Sequence, residues 1–184
     1  MHKSVQLAPE DAEAHNNLGL TLQKLGELNE AEGSLNKALA LKPDFAEAHN
    51  NLGVTLKEMG RLDEAEASYT EAITLRPDFA EAHNNLGVTF KEMGRLDEAE
   101  ANYRNAIAIK PDHAQAHSNL GVTLKELGRL AKSEASCGQA IAMQPDYADA
   151  FWNLHGIQKT IHGAEHWIDK CLIADTDHVR AKLM

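Results

Sequence analysis

The sequence is poor in the residues that announce most kinds of chemistry. Its 184 residues include two cysteines, too few for a disulfide framework, and only 5% aromatics. No apolar run approaches the ~18 residues that cross a bilayer, and the N-terminal MHKSVQLAPE lacks the apolar stretch of a signal peptide. These absences make a cytoplasmic chain with no membrane partner the expectation. Basic residues are scarce as well: 18 Lys and Arg stand against 28 Asp and Glu, a formal net charge of -10. Nucleic-acid binding needs clustered cations to displace counterions, so that partner class is set aside. No glycine-rich phosphate loop occurs, nor a strand-turn-helix setting for a nucleophile, which leaves no catalytic residue and no cofactor to name.

Proline is rare, and its placement carries the organisation. Pro9, Pro43, Pro77, Pro111 and Pro145 fall 34 residues apart, and Asp44 to Pro77 matches Asp78 to Pro111 at 27 positions. Self-similarity at such a period marks stacked repeats. Within the unit, Ala46, Leu52, Val54, Leu56 and Met59 recur at helical spacing, and a second apolar run follows from Leu62 to Leu75. Each unit reads helix, turn, helix, turn. Asp44 with Glu47, and Asp63 with Glu66, have capping-box spacing, so both helices are expected to open on an aspartate. Gly60 is expected to end the first helix in the left-handed conformation and Pro77 to stop the second.

The chain divides accordingly. Residues 1–9 read as the tail of a truncated repeat, and 10–43, 44–77, 78–111 and 112–145 as four full units. Residues 146–176 read as an atypical, shortened unit and 177–184 as the start of a following or capping helix, so both ends look cut from a longer polypeptide. In the fourth unit Ser133 and Cys137 replace Ala65 and Tyr69, Ala131 replaces Asp63 and Gly138 sits mid-helix, which makes its second helix the softest expected.

His49, Leu52, Gly53, Leu56, Ala65, Tyr69, Ala72 and Pro77 stand at the offsets where tetratricopeptide repeats carry a bulky residue, Leu-Gly, an aromatic or Leu, Ala, an aromatic, Ala and Pro. Only His49 departs. The unit resembles a tetratricopeptide repeat, and the resemblance covers nearly the whole chain. It implies an all-α, right-handed superhelical solenoid of stacked helix-turn-helix repeats whose first helices line a concave surface. Function has to be argued from particular residues, because one fold carries many.

The residues with functional content are paired. Asn16-Asn17, Asn50-Asn51, Asn84-Asn85, Ser118-Asn119 and Trp152-Asn153 form a register, and the resemblance puts the second of each pair on the inner wall. A column of asparagines offers a donor and an acceptor at each step, the complement of a peptide main chain. It resembles the asparagine ladder in the repeat domain of protein O-linked N-acetylglucosamine transferases, matched at Asn17, Asn51, Asn85, Asn119 and Asn153. The same column has a second use, bonding neighbouring helices to each other. Leu20, Val54, Val88 and Val122 would add an apolar strip and Trp152 an aromatic anchor. A further use of such grooves, a basic clamp on chaperone C-termini, would need Lys or Arg where this chain has Asn50, Val54, Asn85, Gln115 and Asn119. Lys57, Lys91 and Lys125, opposite Glu47 and Glu81, suit the helix dipole as well as a ligand.

Metal binding is not expected. His15, His49, His83 and His117 lie one unit apart, too far to share bonds near ~2 Å, and are expected to fill the slot between the two helices of each unit. His162, Glu165 and His166 match the spacing H-x-x-E-H, but Gly163 falls at a turn and breaks the helical face that zinc would need. Cys137 and Cys171 read as small reduced core residues. The reading is a non-catalytic protein-interaction module for an extended polypeptide. The alternative is the substrate-recruiting arm of a larger glycosyl- or sulfotransferase, and end-to-end self-association through exposed terminal helix faces is a third expectation.

Overall fold

The computed structural model describes residues 10–161, and His162, Glu165, His166 and Cys171 lie outside the described residues. Among the described residues there are nine helices and no strand: α1 (Ala12–Lys24), α2 (Leu28–Leu41), α3 (Ala46–Glu58), α4 (Leu62–Leu75), α5 (Ala80–Glu92), α6 (Leu96–Ile109), α7 (Ala114–Glu126), α8 (Leu130–Met143) and α9 (Ala148–Ile161). This is the all-α stack of helix-turn-helix units that the periodicity predicts. The chain forms two compact units, divided between Met93 and Gly94. In the first, α1 packs on α2 and α3 on α4, α2 and α4 each pack on the following helix, and α1, α3 and α5 touch in succession. In the second, α7 packs on α6, α8 and α9, and α8 packs on α9.

The turn inside each helix pair has one mechanical cause. Gly26, Gly60, Gly94 and Gly128 take φ between 73 and 79°. At Gly60 this bends the chain so that Gly60 N–H donates to Lys57 O and Arg61 N–H to Leu56 O, both at 2.9 Å, closing the last carbonyls of α3. The second helices end instead in an extended residue, Lys42, Arg76 or Lys110, ahead of a proline that cannot continue the ladder.

The helix starts differ from the capping-box expectation. Phe45, not Asp44, occupies the N-cap of α3, with no side-chain cap bond, and Arg61, not Asp63, occupies that of α4. The turn after Pro43 inserts Phe45 between Asp44 and the helix, so the carboxylate stands one residue too early to fold back. Phe45 is buried there against Ala38 and Ala48. Asp63 and Glu64 lie inside the first turn of α4, where they complement the helix dipole. A side-chain cap does form at α1, where Asp11 Oδ1 accepts from Glu13 N–H at 2.9 Å and Ala14 N–H at 3.1 Å.

The core is made of small residues facing one large one. Ala31, Ala38, Ala65, Ala72, Ala99, Ala106 and Ala140 are fully buried, and so are Leu35, Tyr69, Tyr103 and Cys137, which share one register of the second helices. Gly19, Gly53 and Gly121 lie opposite Leu35, Tyr69 and Cys137, and a Cβ on any of them would overlap the facing side chain. Opposite Gly121, Ser133 O would stand 3.2 Å from an added Cβ, much as Ala31 O would stand 3.3 Å from one on Gly19. Ser133 Oγ uses that proximity to donate to Gly121 O at 2.6 Å.

Candidate functional site

The paired asparagines project from the first helix of each repeat, and the two members of a pair have different surroundings. The first is buried: Asn16, Asn50 and Asn84 are 7%, 9% and 2% exposed, and Ser118 at the same offset is 2% exposed. The second faces out, with Asn17 exposed and Asn51, Asn85, Asn119 and Asn153 half-buried.

In the first unit the pairs are cross-linked from one repeat to the next. Asn51 Nδ2 donates to Asn16 Oδ1 at 2.8 Å, and Asn85 Nδ2 donates to Asn50 Oδ1 at 3.1 Å. A longer bond, 3.5 Å, runs from Asn50 Nδ2 to Asn51 Oδ1 and joins the two rungs into one run of amides. The helix backbone beneath is held as well, since Thr55 Oγ1 donates to Asn51 O and Thr89 Oγ1 to Asn85 O, each at 3.0 Å. In the second unit Asn153 Nδ2 donates to Ser118 Oγ at 3.1 Å.

Ser118 stands in the paired register by sequence, but its bonding role was not legible there. Its hydroxyl also bonds the phenol of Tyr147, whose pKa is raised by burial and by the charge of Asp149 while the Ser118 bond opposes the rise. The signal that would have found it is the coincidence of two departures, Ser for Asn at 118 and Tyr for Phe at 147.

Half-buried apolar groups stand one turn on from the asparagines: Leu20, Val54 and Val88 in the first unit, Val122 in the second. Trp152 is half-buried on α9, its ring 6.1 Å from that of His155. Of the lysine register, Lys57 bonds between repeats, its Nζ 3.5 Å from Glu92 Oε1, and beside it Gln23 Nε2 donates to Glu58 Oε1 at 3.0 Å.

The histidine register has a polar role beyond filling space. His49, His83 and His117 each place Nε2 within hydrogen-bonding distance of the carbonyl of the proline six residues before, Pro43 at 2.9 Å, Pro77 at 3.2 Å and Pro111 at 3.1 Å. The proline turn is thus tied to the helix that follows it. Among the described residues no three His, Cys, Asp or Glu side chains converge as a metal site, and no helix is long and apolar enough to cross a membrane.

The repeated helix pairs, the glycine opposite a large residue and the proline stop are matched by a family profile, that of the tetratricopeptide repeat, at residues 10–78, 44–112 and 78–146. The chain belongs to the tetratricopeptide-repeat family. A search of curated proteins by sequence found no match. Among solved structures, this tetratricopeptide-repeat chain is similar to PilW, a widely conserved type IV pilus biogenesis factor, with TM-score 0.87 and 23% identity over 100% of this chain and 87% of that one. It is similar to pilF of Pseudomonas aeruginosa, with TM-score 0.83 and 21% identity over 89% and 76% of the two chains. It is also similar to YrrB, a tetratricopeptide-repeat protein with an unusual peptide-binding site, with TM-score 0.71 and 22% identity over 100% and 97%. At such identities the likeness speaks for the tetratricopeptide-repeat fold.

Proposed function

We propose that the chain is a protein-interaction module whose first-helix face binds an extended segment of a partner polypeptide. The observation that carries this reading is the exposure of the second asparagines. Asn51 and Asn85 each spend one N–H on the preceding repeat and remain half-exposed. A primary amide has two N–H groups and a carbonyl with two lone pairs, so each keeps a donor and an acceptor for a peptide main chain. Val54 and Val88, one turn further along the same helices, supply apolar contact for side chains. A column that grips main chain resembles the asparagine ladder of protein O-linked N-acetylglucosamine transferases and would bind with little regard to sequence, with the apolar strip setting preference. Ordering a flexible ligand opposes binding, so micromolar or weaker affinity is expected.

A peptide array read with the purified chain tests the proposal. The comparison proteins are Asn51→Ala with Asn85→Ala, and Val54→Lys with Val88→Lys, each checked for helicity by circular dichroism. Folded variants that lose binding, the first across unrelated peptides and the second selectively, support the face as the working surface. Unchanged binding by both removes it.

A further inference from the structure

We infer that Asn50, and by the same geometry Asn16, are positioning residues for ligand binding, each fixing the side-chain amide of the second asparagine in the next repeat. The inference rests on the proposed peptide-binding face and adds a division of labour within it. Asn50 is 9% exposed, so its own amide is not a surface group. Its Oδ1 accepts from Asn85 Nδ2, as Asn16 Oδ1 accepts from Asn51 Nδ2, and both acceptors lie beneath the half-exposed asparagine they hold.

An unrestrained asparagine amide turns broadly about χ2 and exchanges its donor and acceptor sides as it does. A ligand reaching such a group has to freeze that rotation as it binds. The buried acceptor freezes it beforehand. One N–H is spent inside the protein, and the other N–H and the carbonyl oxygen then stand in a fixed order along the rung, which lowers the cost of ordering at the moment of binding. Asn51 is held more firmly, because Asn50 Nδ2 also approaches its Oδ1 at 3.5 Å. The amides run in one direction, Asn85 to Asn50 to Asn51 to Asn16, each donating to the next, so that they polarise one another.

The second unit isolates the part of Asn50 that matters. At the equivalent offset Ser118 offers Asn153 Nδ2 a hydroxyl oxygen at 3.1 Å and is 2% exposed. The acceptor is kept while the amide is gone. Serine at position 50 is therefore the substitution expected to preserve the function.

The test follows the dissociation constant of the tightest array peptide, fluorescein-labelled, by fluorescence anisotropy on the full chain. Asn50→Ala is expected to weaken binding by about five- to tenfold, the size of one lost hydrogen bond, while Asn50→Ser stays within about twofold. Because Asn50 acts mainly through Asn85 and only by the longer 3.5 Å contact through Asn51, Asn50→Ala should weaken binding much less in an Asn85→Ala background than in the parent, a non-additivity that a purely structural role would not produce. Equal weakening by Asn50→Ala in both backgrounds, or Asn50→Ser as weak as Asn50→Ala, overturns the inference and leaves the proposed face intact. Asn85→Ala binding as tightly as the parent also overturns the inference, and the proposed face falls with it only if the paired asparagine and paired valine variants bind unchanged as well. If Asn50→Ala fails to fold by circular dichroism, the same comparison is made between Asn16→Ala and Asn16→Ser with Asn51→Ala as the background.

Discussion

The ring of Tyr69 lies against the backbone of α3 at Gly53, so closely that a Cβ there would stand 2.7 Å from Tyr69 Cε1. The ring is fully buried and has nowhere to retreat. Gly53→Ala is expected to cost about 1–3 kcal/mol through overpacking. Gly33, exposed within α2, is its opposite: a Cβ there meets nothing within 4 Å. Gly33→Ala should stabilise by about 0.5–1 kcal/mol. Urea denaturation of both variants checks the contrast in sign.

His49 holds the Pro43 carbonyl at 2.9 Å. Replacing His49 by Phe keeps a ring of similar bulk and removes the polar contact. The expected loss is about 0.5–1.5 kcal/mol, the net worth of one hydrogen bond. A fall in the thermal midpoint with unchanged helicity at low temperature would show it, and an unchanged midpoint would mean the slot needs only bulk.

Glu100 is 4% exposed and lies between Arg104, at 2.6 Å, and Arg129. Losing Arg129 leaves the carboxylate with one guanidinium, so Arg129→Met should destabilise by about 1–3 kcal/mol. The Arg61 and Glu64 pair is open to solvent, where attraction is screened and holding two long side chains costs entropy. Glu64→Gln should leave the denaturation midpoint essentially where it was. Parallel guanidinium titrations of the two variants distinguish a buried network from a surface one.

Burial pushes the Cys137 thiol up to about 12 from an ordinary 9.0, and Lys125 opposes the rise. Burial also raises the Tyr69 phenol, with Glu58 and Glu92 adding to it. Both groups hold their protons more tightly folded than unfolded. Their contribution is therefore fully present below the ordinary thiol value and lost as pH climbs from there towards 12. The denaturation midpoint should fall as pH rises from 9 to 11, with a shallower fall in Cys137→Ala. In a Cys171→Ser background, iodoacetamide at pH 8 should label Cys137 only as fast as the protein opens.

Much of this was legible in advance, for physical reasons that differ by element. The proline period and the turn glycines located the helix pairs, because a proline stop and a glycine with positive φ, as at Gly60, are single-residue requirements that no neighbour can override. The helix starts were not legible. Asp44 followed three residues later by Glu47 satisfies the capping pattern on paper, yet the turn after Pro43 lends the cap position to Phe45, whose burial outweighs a surface carboxylate bond. Glu47 is engaged instead by Arg76, 29 residues away, a pairing that no local pattern encodes. The asparagine column was visible as a column. That its first member lies inside and bonds the second member of the next repeat depends on how consecutive first helices are rotated against each other, which only packing decides.

The bonds between repeats also carry an arithmetic. Asn51 to Asn16, Gln23 to Glu58 and Asn153 to Ser118 each span 35 positions, and Arg61 to Glu32 and Arg129 to Glu100 span 29, one period of 34 plus one or minus five. Gaining or losing one whole period would re-create every such bond with new members, whereas an insertion of any other length within a helix would put all of those crossing it out of step. The interior is thus indifferent to how many periods it contains, and the number of asparagine rungs can be lengthened or shortened in whole steps by duplication or excision alone.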